Sequence, residues 1–192
     1  MSQTISDFKN GFNGGTRANR FAIKFNWPNA VQASDVNLTY HAVAAKLPEG
    51  ELGSISIPYR GRVAHFAGDR DYKPWTVTII DDTGNNESWS LFHKWSNLLN
   101  SHATNKSLDP TFAANGNTNL LLKTIEVNQL SHSTGNSNTY TAGHDILRKI
   151  TLNHAWPSEV GQIGFDMGEG GSLVSFTVTF SYDYYDLTTI QT

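Results

Sequence analysis

The residues best suited to polar chemistry cluster between Ile55 and Asp82, in the run ISIPYRGRVAHFAGDRDYKPWTVTIIDD. Tyr59, Arg60, Gly61 and Arg62 make one compact group, and Gly68, Asp69 and Arg70 make a second. A planar guanidinium grips phosphate or carboxylate with two parallel hydrogen bonds, so these arginines suit nucleic acid or an acidic surface on another subunit. Further basic residues interleaved with aromatics, the pattern of a nucleic-acid site, are missing around them. The balance favours a subunit interface, with Tyr59, Arg60, Gly61, Arg62, Asp69 and Arg70 as its candidate residues.

Other chemistries find less support. The seven histidines, at 41, 65, 93, 102, 132, 144 and 154, lack the i, i+4 spacing of a helical zinc motif and carry no carboxylate pattern that would orient a ligand. Without cysteine there is no thiolate nucleophile, thiolate metal site or disulfide. Neither a G-x-S-x-G nucleophile elbow nor a G-x-x-x-x-G-K-[ST] phosphate loop occurs. Paired carboxylates with Trp75, Trp89, Trp95 and Trp156 could serve a carbohydrate-binding sandwich. Both residue types are too common in such folds to carry that reading. The expectation is a protein with no cofactor, metal, small-molecule substrate or catalytic activity.

These groups must be held by a β-rich scaffold. Hydrophobic residues make up 38% of the 192 and charged residues 16%, with abundant Asn, Ser, Thr and Gly, a composition of strands and turns. The length suits one domain over 1–192, with 1–19 as an N-terminal arm. The start lacks the apolar run of a signal peptide and no membrane-length apolar run follows, so the chain reads as soluble and made in the cytoplasm. Period-two alternation predicts strands from Phe21 to Trp27, Thr39 to Ala45, Ile55 to Tyr59, Val63 to Ala67, Trp75 to Asp81 and Leu120 to Leu130. Short strand character near Thr139 to Thr141 precedes a run from Leu147 to Trp156, which Pro157 is expected to break. The most regular alternation, Leu173 to Tyr185, is about twice an ordinary strand's length and must bend or reach beyond its own domain. One helix is predicted over Ser88 to His102, with a stripe of Leu91, Trp95, Leu98 and His102 widened by Trp89, Phe92 and Leu99, and with Asn85 or Asn86 as cap. Residues 103–119 and 131–138 read as polar connections.

Charge is unevenly spread. The net charge of −3 excludes a dominant basic surface for nucleic acid, but residues 1–76 hold nine Lys or Arg against six Asp or Glu. Residues 150–192 hold Glu159, Asp166, Glu169, Asp183 and Asp186 and no Lys or Arg. Two solvated faces would explain the split; so would head-to-tail complementarity between copies, which closes rings or propagates filaments.

In order and spacing, several segments together resemble the tail tube proteins of contractile-tailed bacteriophages, which are related to the tube proteins of contractile injection systems. They are GTRANRF (Gly15 to Phe21), LPEG (Leu47 to Gly50), IPYRGR (Ile57 to Arg62), AGDRDYKPWTVTIIDD (Ala67 to Asp82), the Phe92/Trp95 helix, AWPSEVGQIGFD (Ala155 to Asp166) and SFTVTFSYDYYD (Ser175 to Asp186). The resemblance implies a mainly β sandwich or barrel with one flanking helix and long interface loops. It implies hexameric rings stacked into a tube that conducts phage DNA, with sheath, baseplate and tape-measure proteins as partners, in a virion assembled from subunits made in the host cytoplasm. A tube of a phage-derived injection or secretion device, carrying protein cargo, is the alternative. On this reading the hydroxyl face Ser175, Thr177, Thr179 and Ser181 is a candidate lumen wall, because uncharged or acidic walls do not trap phosphates.

Overall fold

The computed structural model describes residues 5–6, 16–31, 38, 41–82, 87–107, 121–130, 146–166, 168 and 171–189. Most of the expected N-terminal arm lies outside them, as do the Asn85 and Asn86 caps, the loop from 108 to 120, the 131–138 turn and the Thr139–Thr141 strand.

The described residues form a mainly β fold with one long helix. In chain order the strands are β1 (Phe21–Phe25), β2 (Ala42–Ala45), β3 (Gly50–Tyr59), β4 (Arg62–Tyr72) and β5 (Trp75–Ile80). After the helix α1 (Ser88–Leu99) come β6 (Lys123–Leu130), β7 (Ile146–Val160), β8 (Ser175–Ser181) and β9 (Tyr184–Thr189). Every strand pairing is antiparallel. One path of hydrogen-bonded strands runs β1-β6-β7-β8-β5-β2, with β9 added beside β7, while β3 and β4 form a separate two-stranded hairpin.

The path folds over on itself at β7. Its first half, Arg148 to Asn153, lies against β9 and against β6, whereas Trp156 to Val160 pairs with β8. The corner falls at His154, which adopts a left-handed φ of 54°, a conformation that non-glycine residues seldom take. There His154 Nδ1 lies 2.7 Å from Asp183 Oδ2, and the Asp183 N–H donates to the Asn153 carbonyl. Both neighbouring strands therefore turn at one level, and two sheets face each other across a single core.

Two sequence expectations are corrected here. Pro157 does not stop β7, which continues to Val160. The last pairing with β6 is at Ala155 and the register to β8 shifts beside Pro157, so the missing N–H removes no ladder bond, as at an edge or bulge. Leu173 to Tyr185 is not one strand: it begins at Ser175, breaks after Ser181 and resumes at Tyr184. The alternation changes face at the break, because the chain leaves one sheet for the other. Phe176, Val178, Phe180 and Tyr182 are buried, Tyr184 is exposed, and Tyr185 packs against the core instead.

Alternation fills the core from both sheets, with Ile23, Phe25, Ile125, Val127 and Leu152 facing Trp75, Val77, Ile79, Phe176 and Phe180. The α1 helix contributes Phe92 and Trp95, both fully buried. Phe25, Phe92 and Phe180 meet with centroids 5.5 to 5.9 Å apart, and burying each such side chain is worth about 2 to 3 kcal/mol. The helix ends at Leu99, before the expected His102, which is exposed. The Ser88 hydroxyl and the Trp89 N–H both donate to Asp81 Oδ1, at 2.8 and 3.3 Å. A carboxylate from the end of β5 thus satisfies the positive end of the helix and fixes α1 to the sheet. The Trp95 indole N–H donates to the Leu121 carbonyl at 2.9 Å.

Candidate subunit interface

The candidate residues all lie on the β3–β4 hairpin. Tyr59 pairs with Arg62, and the two residues between them have φ of 46° (Arg60) and 78° (Gly61). Positive φ at both central positions makes a type I′ turn, whose twist matches that of the flanking strands. The tip of the hairpin is therefore Arg60-Gly61, with the Arg60 guanidinium 5.4 Å above the Tyr59 ring, a cation–π contact.

Asp69 and Arg70 sit elsewhere. Leu52 pairs with Arg70 and Ser54 with Ala67, leaving Gly68 and Asp69 opposite Gly53 in a bulge that adds twist. The backbones approach closely here: a Cβ on Gly68 would lie 3.1 Å from the Gly53 carbonyl carbon, and one on Gly53 would lie 3.1 Å from the Asp69 carbonyl oxygen. From Arg62 to Arg70 the strand spans eight steps, about 26 Å at roughly 3.3 Å per residue. The structure does not bring the six candidate residues together: four form the tip, and two form the root.

The root is well anchored. The Tyr72 ring lies 5.9 Å from that of Tyr182 and 5.4 Å from that of Tyr185. Burial, and then the neighbouring Tyr185 and Tyr72, pushes the Tyr182 phenol above its ordinary pKa. Lys73 reaches Glu49 at 3.1 Å and Glu51 at 3.2 Å, and hydrogen bonds to these two carboxylates raise its pKa. Because Lys73 is solvent-exposed, these bonds orient the root more than they stabilise it.

Beyond the bulge the hairpin has two unlike faces. Residues directly opposite share a face, so Ile55 with Phe66, Ile57 with Ala64 and Tyr59 with Arg62 line one side. Ser54, Ser56 and His65 lie on the other together with Pro58, Ala67 and the exposed Val63, and there Ser56 Oγ is 3.1 Å from His65 Nδ1. The apolar side faces solvent, with Ile55 54%, Phe66 57% and Tyr59 65% exposed. The basic clusters drew attention in the sequence and this stripe did not, although the alternation in ISIPY and VAHFA carries it.

The body offers a second surface without charge clusters. On the outward side of β8 and β5, Ser175, Thr177, Thr179, Thr76 and Thr78 present hydroxyls, with Thr76 and Thr179 3.2 Å apart. Of the four candidate tryptophans, Trp75, Trp89 and Trp95 are poorly placed for stacking sugars, and Trp156 is half-buried. Trp75 and Trp95 are buried, and the indole N–H groups of Trp75 and Trp89 donate to the Lys46 and Gly161 carbonyls. Among the described residues no three His, Asp or Glu side chains converge on a metal site.

The family model described as phage tail tube protein matches residues 16–188. The tail tube protein of Serratia phage KSP90 is 26% identical over 186 residues, covering 93% of this chain and 94% of the relative. Tail tube protein gp19 of Enterobacteria phage T4 is 23% identical over 184 residues, with 95% and 99% covered. Among solved structures, the tube-terminating cap of the anti-feeding prophage aligns with a TM-score of 0.62 at 14% identity, over 93% of this chain and 94% of that one. The sheath/tube terminator of an extracellular contractile injection system in its extended state aligns with a TM-score of 0.59 at 14% identity, over 91% and 97%.

Proposed function

Because the chain belongs to the phage tail tube protein family, and is thus a structural virion protein and not an enzyme, we propose that it builds hexameric rings that stack into the conduit for DNA ejection. The observation that carries this reading is the hairpin. An isolated two-stranded ribbon is marginal in water, and an exposed apolar stripe of this kind marks a protein–protein contact. A second copy in the adjacent ring supplies the missing cover, with Tyr59, Arg60, Gly61 and Arg62 at the leading end and Asp69 and Arg70 bracing the root.

The hydroxyl face of β8 and β5 supports a lumen role. It carries no lysine or arginine, so passing phosphates release no counterions to it and are not held. Sheath and baseplate surround and nucleate such a tube, and a tape-measure protein is a further partner. The likeness of the fold to injection-system tubes supports one alternative, a conduit for protein cargo. Neighbouring genes for capsid and DNA packaging separate the two.

Negative-stain microscopy of the purified chain with nucleating baseplate tests the assembly reading. Wild type gives tubes, whereas an Ile57→Ser/Phe66→Ser variant stays dispersed with its melting temperature almost unchanged. Tubes of normal length from that variant would remove the hairpin from the contact. Dispersed monomers from wild type under all conditions would remove the tube.

A further inference from the structure

At the open side of the sandwich a half-open cleft of about 190 Å³ lies between the start of β1, the end of β2 and β6. Its floor includes Phe21, Leu47 and Val127, and Arg17, Arg20 and Lys46 stand around it, with no acidic residue in the lining. Among the described residues Arg17 and Lys46 form no ion pair. Asn128 and Gln129 also line the cleft, and each has a buried side-chain oxygen without a hydrogen-bond partner. Asn128 as a whole is only 6% exposed. Arg17 and Lys46 are like charges, which repel one another until an anion joins them. The occupant that suits this lining combines an apolar group with a carboxylate. A bare inorganic anion brings no apolar group for this lining, so an apolar side chain next to a carboxylate on a polypeptide fits it better.

One segment of the chain itself has that chemistry. Between β7 and β8, Phe165 is 86% exposed and Asp166 follows it, within the region that lacks lysine and arginine. Nothing lies within 4 Å of the position a Cβ on Gly164 would take, so the chain stands clear of the body just before Phe165. A cavity of about 150 Å³ holds a benzene ring, and the cleft exceeds that. The two features cannot meet within one molecule. The loop leaves the sheet where Ile80 pairs with Ser175, whereas the cleft lies toward the opposite end, where Trp75 pairs with Phe180 and its indole reaches Lys46.

We propose that the cleft receives Phe165 and Asp166 of a second copy, the ring stacking on the apolar floor and the carboxylate meeting Arg17 and Lys46. The contact is heterologous, and a heterologous contact repeated around an axis closes a ring. This deepens the tube reading and rests on it: the hairpin joins rings, and the cleft joins neighbours within a ring.

The absence of cysteine allows a direct test by disulfide trapping. A Lys46→Cys/Asp166→Cys chain, assembled into tubes and mildly oxidised, gives a ladder from dimer upward on a non-reducing gel, and neither single variant goes beyond dimer. Charge reversal gives a second readout that needs no new bond. Asp166→Lys alone raises the concentration needed for assembly about ten-fold or more, and adding Arg17→Glu/Lys46→Glu to it restores assembly. Tubes that form without the ladder, together with reversal variants that assemble like wild type, overturn the cleft contact and leave the tube reading standing. Wild-type chains that form no tubes overturn both.

Discussion

The hairpin and the sandwich body are written in the same alternating code and meet opposite fates. In β5, Trp75, Val77 and Ile79 point inward and are almost wholly buried; in β3, Ile55 and Ile57 alternate just as regularly and face water. Alternation specifies a strand with two unlike faces, but not what covers the apolar one. In the body, the cover is the opposite sheet and α1. On the hairpin no described residue supplies it, and the proposed contact between copies would.

Core and hairpin should therefore respond differently to the same truncation. Phe180→Ala removes a ring packed against Phe25, Trp75, Phe92 and Trp95, and should cost about 3 to 5 kcal/mol of folding stability in denaturant titrations. Phe66→Ala should change the stability of the dispersed chain by about 0.5 kcal/mol or less while weakening assembly. Equal losses of stability at the two sites would break the contrast.

The tip can be dissected more finely. Arg60 and Gly61 both occupy positive φ, where asparagine is tolerated and a β-branched residue is strained. Arg60→Asn keeps the turn and removes the charge, whereas Gly61→Val keeps the charges and strains the turn by about 1 to 2 kcal/mol. If the guanidinium reaches the next ring, Arg60→Asn slows tube growth while leaving the hairpin's NMR shifts intact. Normal growth from Arg60→Asn with defective growth from Gly61→Val assigns the tip a purely structural part.

The smallest expected effect belongs to the body. His93 has its pKa lowered from 6.5, first by burial and then by His102, and its Nε2 is buried without a partner. The unfolded chain therefore binds this proton more readily than the folded one, so stability falls as pH drops through about 6.5 toward the lower folded value. His93→Gln should flatten that part of the stability–pH curve, read from melting temperatures. An unchanged slope would show that another group titrates there.

How much of this was legible in the sequence depends on whether a signal is local. The Phe21 to Phe25 alternation, the Trp75 to Ile80 strand and the Phe92/Trp95 helix were readable because period and burial agree within a few residues. Pro157 misled because a strand's tolerance for proline depends on which edge is paired, which no local pattern reveals. The break at Asp183 was hidden because alternation runs unbroken through SFTVTFSYDYY while the sheet beneath it changes. Asp81 as the helix cap acts from the preceding strand. Within the candidate site, YRGR was recognisable as a unit, but its charges overshadowed the turn that Arg60 and Gly61 make. The cleft was out of reach, because its lining comes from three segments up to 112 residues apart, Arg17 to Gln129.

Hydrogen–deuterium exchange, comparing dispersed chain with assembled tube, tests the central claim most directly. The account predicts that amides from Ser54 to Ala67 exchange rapidly in the dispersed chain and become strongly protected in the tube, while the core of β5 and β8 is protected in both. Equal exchange of the hairpin in the two states would contradict it, because the apolar face would then have found no partner.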